Sequence, residues 1–320
     1  MYHLVHLRLD KPVNSLTDLL TKLKLPSPIT QIKNSLLSEK KIELFVKRDE
    51  LIHPYIQGNK WRKLKYNILE AEKNNQNTLL SFGGAYSNHL HALAAIGNQL
   101  NLNTIGIIRG QAPEQLNPCL EDLIDWGMQL KFVTRQEYKQ KNSDEFINNL
   151  KNEFADFYLI PEGGNNAAGI RGCAELLDEL DENYDVICCE VGSGTMFSAL
   201  IQNNRKKNTS YLGFAVMKNT QLDKEIKDNL TSHTNSTDWQ INHHYHFGGF
   251  AKTSTELNNF IKNFKDENNI QLEPVYSGKM LWGILDLIEN DYFKPGTRIL
   301  SIHGGGLQGL RGYPQLKDSI

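Results

Sequence analysis

Cysteine is sparse: the 320-residue chain has four, at Cys119, Cys173, Cys188 and Cys189. No pair has the C-x-x-C spacing that a structural zinc or a redox motif requires, so no metal is expected. Cys188 and Cys189 adjoin inside an apolar run and are expected as buried reduced thiols. An excess of one charge is lacking as well. The chain carries 35 basic and 37 acidic residues for a formal net charge of -2, with no clustered Lys/Arg stripe, so neither nucleic acid nor an anionic membrane is an expected partner. No stretch approaches about 18 uninterrupted apolar residues. The start, MYHLVHLRLDK, has no apolar core and no small-residue cleavage site, which predicts a cytoplasmic protein. Repeats, low-complexity tracts and composition shifts are also missing, so any domain division must come from sheet topology.

What is present is ordinary for a globular chain, with 39% hydrophobic and 22% charged residues. The length permits one large or two medium domains with an ample core. From residue 43 onward, short β-rich runs alternate with longer segments of helical period, the pattern of an α/β protein with open, largely parallel sheets. Strands are predicted at 42–47, 78–82, 103–108, 129–133, 157–160, 184–191, 211–217 and 297–303. Amphipathic helices are predicted at 60–74, 88–99, 171–181, 255–266 and 279–289, while the charge-rich segment 143–157 reads as a solvated helical face.

Glycine-rich turns follow several of these strands: GGA at 83–85, GGN at 163–165, GSGT at 192–195 and HGGG at 303–306. Ligands in open α/β sheets sit beyond the carboxyl ends of the strands, where such turns lead into helix N-termini with free N–H donors. Several turns of this kind suggest one polyanionic ligand.

Four segments carry chemistry. In GNKWRKLKYN (58–67), Lys60 opens a helix, where the positive end of the macrodipole favours a neutral, nucleophilic amine. Alone, it also reads as a solvated surface lysine. In SFGGAYSNHLHALA (81–94), Ser87 and Asn88 stand at an N-cap and could hold a carboxylate or a phenolic oxygen. EVGSGTMFSAL (190–200) runs from a strand through a glycine turn into a helix and could cradle a phosphate. In EPVYSGKMLWGILDLI (273–288), Tyr276 and Ser277 are expected at the end of a short strand, on a ligand-facing rim.

Rival motifs fail on context. GSGT does not extend to G-x-G-x-x-G, because Phe197 holds the third glycine's place, and no G-x-x-x-x-G-K-[ST] loop exists. The G-x-G-x-x-G match at 304–309 precedes no βαβ unit. HGGG lacks the G-x-S-x-G elbow of a hydrolase, since Ser193 follows Val191 and Gly192.

Together and in order, GNK-x-RKL-x-Y (58–66), GG-x-x-SN (83–88), PVY-x-GK-M (274–280) and H-x-GG (303–306) resemble one family. It is the fold-type II pyridoxal-phosphate enzymes that include 1-aminocyclopropane-1-carboxylate deaminase and D-cysteine desulfhydrase. The match spans residues 40 to 312. The resemblance implies a tryptophan synthase β-like fold of two α/β domains, residues 1–62 with 166–320 and an inserted 63–165, working as a homodimer. It implies Lys60 as the Schiff-base lysine of pyridoxal 5'-phosphate, with Lys63, Gly192, Ser193, Gly194 and Thr195 holding the phosphate. Asn88 would bond the phenolic oxygen and Ser277 would lie beside the pyridine nitrogen. Ser87, Asn88 and His89 would receive the carboxylate of a small amino-acid substrate, with Ser87 also placed for proton transfer and Tyr276 orienting the substrate.

Ring-opening deaminases of that family have Glu at the position of Ser277 and desulfhydrases have Thr, so the resemblance favours α,β-elimination from D-cysteine over ring opening. Three departures bear on the substrate. Phe250 stands where a second tyrosine is expected, Gly304 where relatives carry Thr or Leu, and Tyr86 where they tend to have Gln. A reading from another class is a pyridoxal-phosphate-binding regulatory protein that retains Lys60 without turnover.

Overall fold

The computed structural model describes residues 12, 13, 15–206, 208–230 and 237–319. The stretch read above for a leader, residues 1–11, lies outside them.

Ten strands form among the described residues: β1 (Ile29–Ile32), β2 (Glu43–Lys47), β3 (Thr78–Gly83), β4 (Asn103–Arg109), β5 (Met128–Val133), β6 (Tyr158–Leu159), β7 (Val186–Val191), β8 (Ser210–Ala215), β9 (Trp239–Asn242) and β10 (Arg298–Ile302). They assemble into a six-stranded sheet, β1-β2-β10-β7-β8-β9, and a four-stranded one, β5-β4-β3-β6. Only the β1–β2 pairing is antiparallel. The fold is α/β with parallel-rich sheets flanked by helices. Ile302 is in register with both Lys47 and Cys189, so β2 and β10 end level and β7 runs on only to Val191, which puts the GSGT and HGGG turns on one rim.

Successive strand residues face opposite sides, and both sides of each sheet are covered. In β7, Cys188 joins an apolar cluster with Leu212, Leu257 and Ile284, whereas Cys189 faces Phe197 and Leu200 on the other side. In β3, Leu79 packs with Leu64, Leu93 and Trp126, and Leu80 with Tyr138 and Leu150. All four cysteines are buried and unpaired. No described helix is long and apolar enough to cross a membrane.

The expected helices form with shifted ends. The helix expected at 171–181 spans Ala167–Asp178, because the Asn166 side chain caps it by accepting from Gly169 N at 2.8 Å. β1 and β9 were not expected. Each has four residues on a sheet edge, of which only Ile32 is buried, so neither shows an apolar run. The strand expected before Tyr276 does not form. Instead the Glu273 carboxylate accepts from the N–H groups of Val275 (2.7 Å), Tyr276 (2.7 Å) and Ser277 (2.6 Å), curling the chain directly into the helix Ser277–Glu289.

A buried ion network fixes the helix Asn59–Lys73 to its neighbours. Arg62 donates Nε to Asp49 Oδ2 at 2.7 Å and Nη1 to Glu179 Oε1 at 2.8 Å. Lys47, at the end of β2, pairs with Glu179 Oε2 at 2.6 Å. Burial alone would raise the Asp49 pKa, but the Arg62 guanidinium holds it below its ordinary value.

Candidate active site

The helix Asn59–Lys73 forms because Trp61, Leu64, Ile68 and Ala71 recur at three- and four-residue spacing and all are buried. Its N-cap, Gly58, has φ +57°, and a Cβ there would collide with the Gly304 carbonyl, so only glycine fits. This brings the first turn of the helix against the HGGG turn after β10. The half-buried Lys60 donates Nζ to Asn59 Oδ1 and stands 6.0 Å from the centroid of the Tyr276 ring. Burial, followed by the nearby Lys63 ammonium, lowers the Lys60 pKa from 10.5 to about 7, against an opposing pull from Glu190.

One turn on, buried Lys63 reaches Ser193 Oγ at 3.5 Å. Ser193 Oγ is 3.0 Å from Thr195 Oγ1, which donates to Asn165 Oδ1 at 3.2 Å. Gly194 caps the helix Thr195–Gln202. The result is one cation, the free N–H groups of a helix N-terminus and two hydroxyls that here bond to each other and to Asn165, a polar cradle that suits a phosphate dianion.

The four-stranded sheet supplies the facing wall. Ser87 caps the helix Asn88–Leu100 by accepting from Leu90 N at 3.2 Å. Asn88 Oδ1 accepts from Gln308 Nε2 at 2.6 Å. His89 is buried: Ser81 Oγ gives its one proton to Ile160 O at 2.8 Å, so His89 Nε2 is the donor in its 2.9 Å bond to Ser81. Its Nδ1 therefore carries a lone pair, and that atom has no partner within the protein. Burial and the two lysines hold the His89 pKa down at about 3, so the ring is neutral. Its Cε1 edge faces Gly164 beside Lys63, on the cradle side of the cleft.

Tyr276 and Phe250 meet edge to face, with centroids 6.1 Å apart. Gly192 adjoins the same tyrosine, since a Cβ there would lie 3.4 Å from Tyr276 Cε1. Ser277 is fully buried and its Oγ donates to Glu273 Oε1 at 3.2 Å, so its one proton is already committed. The loop leading to Phe250 is held by buried Lys279, whose Nζ donates to the carbonyls of Val216 (3.2 Å), His246 (3.0 Å) and Gly249 (2.9 Å).

A model of pyridoxal-phosphate-dependent enzymes matches residues 20–305. The chain belongs to that family. This pyridoxal-phosphate enzyme is 30% identical to a Pyrococcus abyssi protein provisionally named a 1-aminocyclopropane-1-carboxylate deaminase, over 85% of this chain and 87% of that one. It is 30% identical to the mitochondrial bifunctional D-cysteine desulfhydrase/1-aminocyclopropane-1-carboxylate deaminase of Arabidopsis thaliana, over 84% and 73%. A crystal structure of a 1-aminocyclopropane-1-carboxylate deaminase homologue matches with a TM-score of 0.77 at 25% identity, covering 95% and 94%.

The residues present fit the family's cofactor. Besides the phosphate cradle, two polar atoms in the cleft, His89 Nδ1 and Glu190 Oε2, are buried without partners inside the protein, which a polar aromatic ring would supply. Lys60, Lys63, Ser193, Thr195, Gly192 and Tyr276 converge, and Asn88 closes the opposite side. The Ser87 hydroxyl accepts a capping bond and keeps its proton free, whereas the Ser277 hydroxyl is bonded to Glu273. Sequence reasoning missed Asn59, Glu190, Glu273 and Gln308. Of these, only Glu273 carried a local signal, an acidic residue four positions before a helix start.

Proposed function

We propose that this enzyme catalyses α,β-elimination on a small amino acid, D-cysteine foremost, releasing pyruvate, ammonia and sulfide. The observation that carries this reading is an ε-amine with a lowered pKa, Lys60, set between an aromatic wall and a phosphate-shaped cradle. Lys63, Ser193, Thr195 and the backbone of Gly192 and Gly194 would hold the cofactor's phosphate, and the Asn88 amide its phenolic oxygen. When bound, the cofactor supplies an electron sink for the charge left at Cα. Lys60 takes the Cα proton at Nζ, the Cβ–S bond breaks with its electron pair on sulfur, and the aminoacrylate released hydrolyses to pyruvate and ammonia. The Ser87 hydroxyl, with the N–H groups of Asn88 and His89 at the helix N-terminus, receives the substrate carboxylate, while Tyr276 orients the substrate and, with Phe250, screens it from water. Ser277 would lie on the ring-nitrogen side.

Ring opening of 1-aminocyclopropane-1-carboxylate is the second reading, supported by the names of both relatives. Incubation with each compound separates the two, because only D-cysteine yields sulfide and only the cyclopropane yields 2-oxobutanoate. Failure of D-cysteine to yield sulfide overturns the first reading. Lys60→Ala is expected to abolish both turnover and the visible absorbance of the bound cofactor.

We further propose the division into 1–62 with 166–320 and an inserted 63–165, and a homodimer as the working unit. The two separate sheets support the division, and the continuous helix Asn59–Lys73 passes through its first boundary.

A further inference from the structure

We infer that Glu190 is the carboxylate partner of the cofactor's ring nitrogen, and that Gly304 is the residue that makes room for it. The inference rests on the reading of Lys60 as the cofactor's anchor. Glu190 is the penultimate residue of β7, before Val191 and the GSGT turn, on the face of the sheet that Cys188 also takes. It is buried, and its Oε2 has no partner within the protein. A side chain at position 304 would occupy the space that this carboxylate fills: a Cβ on Gly304 would collide with Glu190 Oε1 and lie 2.7 Å from Asn59 Nδ2. The carboxylate thus sits beside Asn59, the residue preceding Lys60, on the strand that leads into the phosphate cradle. In a pyridoxal ring the nitrogen is para to the carbon bearing the aldehyde. With that carbon at Lys60, the phosphate at Ser193 and the phenolic oxygen at Asn88, the nitrogen would be directed toward the ends of β7 and β10.

Other groups on that rim are less suited. Ser277 Oγ already donates to Glu273, and Glu273 accepts three backbone N–H groups. His303 donates Nε2 to Gln271 O at 2.7 Å and accepts from Gly305 N on Nδ1 at 3.3 Å, so it offers no proton to Glu190. Burial raises the Glu190 pKa, opposed first by a hydrogen bond from its own backbone N–H and then by the nearby His303 and Lys60. An ionised Glu190 therefore needs a cationic partner of its own, which a protonated pyridine nitrogen provides. A carboxylate there keeps the ring nitrogen protonated and deepens the electron sink, offsetting the lack of an acidic residue at position 277.

The test is the nitrogen resonance of the holoenzyme reconstituted with ring-¹⁵N pyridoxal phosphate. The unmodified protein should show the pyridinium position. Glu190→Gln should move the signal to the neutral-pyridine position, Glu190→Asp should largely restore it, and Gly304→Ala should reproduce the Gln effect by displacing the carboxylate. With Glu190→Gln, kcat for ring opening should fall on the order of 10- to 100-fold, the worth of one charged hydrogen bond, and more than kcat for sulfide release. A neutral-pyridine signal in the unmodified protein, or a pyridinium signal that persists in Glu190→Gln and Gly304→Ala alike, overturns the assignment while leaving the Lys60 reading intact. A protein that takes up no cofactor at all overturns both.

Discussion

Gln308 and Asn88 are joined side chain to side chain, the Gln308 amide donating to Asn88 Oδ1 at 2.6 Å. One residue belongs to the 3-10 turn Leu307–Gly312 and the other opens a helix flanking the four-stranded sheet. Because Asn88 Oδ1 is engaged, its NH₂ group is turned toward Gly306, where a Cβ would lie 2.8 Å from Nδ2. The pair therefore presents a donor, rather than an acceptor, to the cleft.

Gln308→Ala should release that amide. Cofactor affinity, measured by titrating the cofactor-free protein, is expected to fall about tenfold, corresponding to the loss of one hydrogen bond. Gln308→Glu should be worse, because a carboxylate cannot donate to Oδ1 and would favour the flipped amide.

The Lys60 pKa, lowered to about 7 from 10.5, sets a pH dependence whose sign is fixed. Between those values the unfolded chain holds a proton on this lysine that the folded chain lacks, so this group's contribution to stability rises with pH. The melting temperature of the cofactor-free protein should rise less over this interval in Lys60→Met than in the unmodified chain. The rate at which the cofactor-free protein captures pyridoxal phosphate should climb through a midpoint near pH 7.

Removing one member of the Arg62–Asp49–Glu179 network leaves a buried charge unpaired. Asp49→Asn is expected to cost about 3–5 kcal/mol in urea unfolding. Because the Asp49 pKa is held down in the fold, the stability it contributes is present above its unfolded pKa and lost as pH falls through the folded one. The variant should accordingly be less sensitive to acid than the unmodified protein.

Phe250 is 45% exposed at the lip of the cleft, so Phe250→Tyr should leave stability within about 0.5 kcal/mol. A hydroxyl beside Tyr276 is expected to raise kcat/KM by about tenfold, the worth of one neutral hydrogen bond. Activity that appeared only in this variant would favour the regulatory-protein reading.

The parts of this site that could be read in the sequence are those carried by short contiguous segments. Lys60, Ser193 and Thr195 follow turns whose glycines mark them, and Ser87 shows itself as a cap. The partnerships that define the rest are long-range. Glu190 reads as one polar residue in an apolar strand until Gly304 is seen to vacate the space around it, and Gln308 has no visible role until its turn meets Asn88. The helix boundaries shifted where side-chain caps such as Asn166 determine the start, and the segment before Tyr276 turned because Glu273 captures backbone donors that a strand would have spent on a neighbour. The edge strands β1 and β9 are too short and too wet to show a period.

The three carbonyls around Lys279 form the kind of oxygen shell that could coordinate an alkali metal, yet the positive charge inside it is covalently part of the chain. Dialysis cannot empty such a shell, and competing salts cannot exchange its occupant. The cation that ties down the loop leading to the aromatic lip is therefore supplied by the chain itself, whatever metal salts surround it.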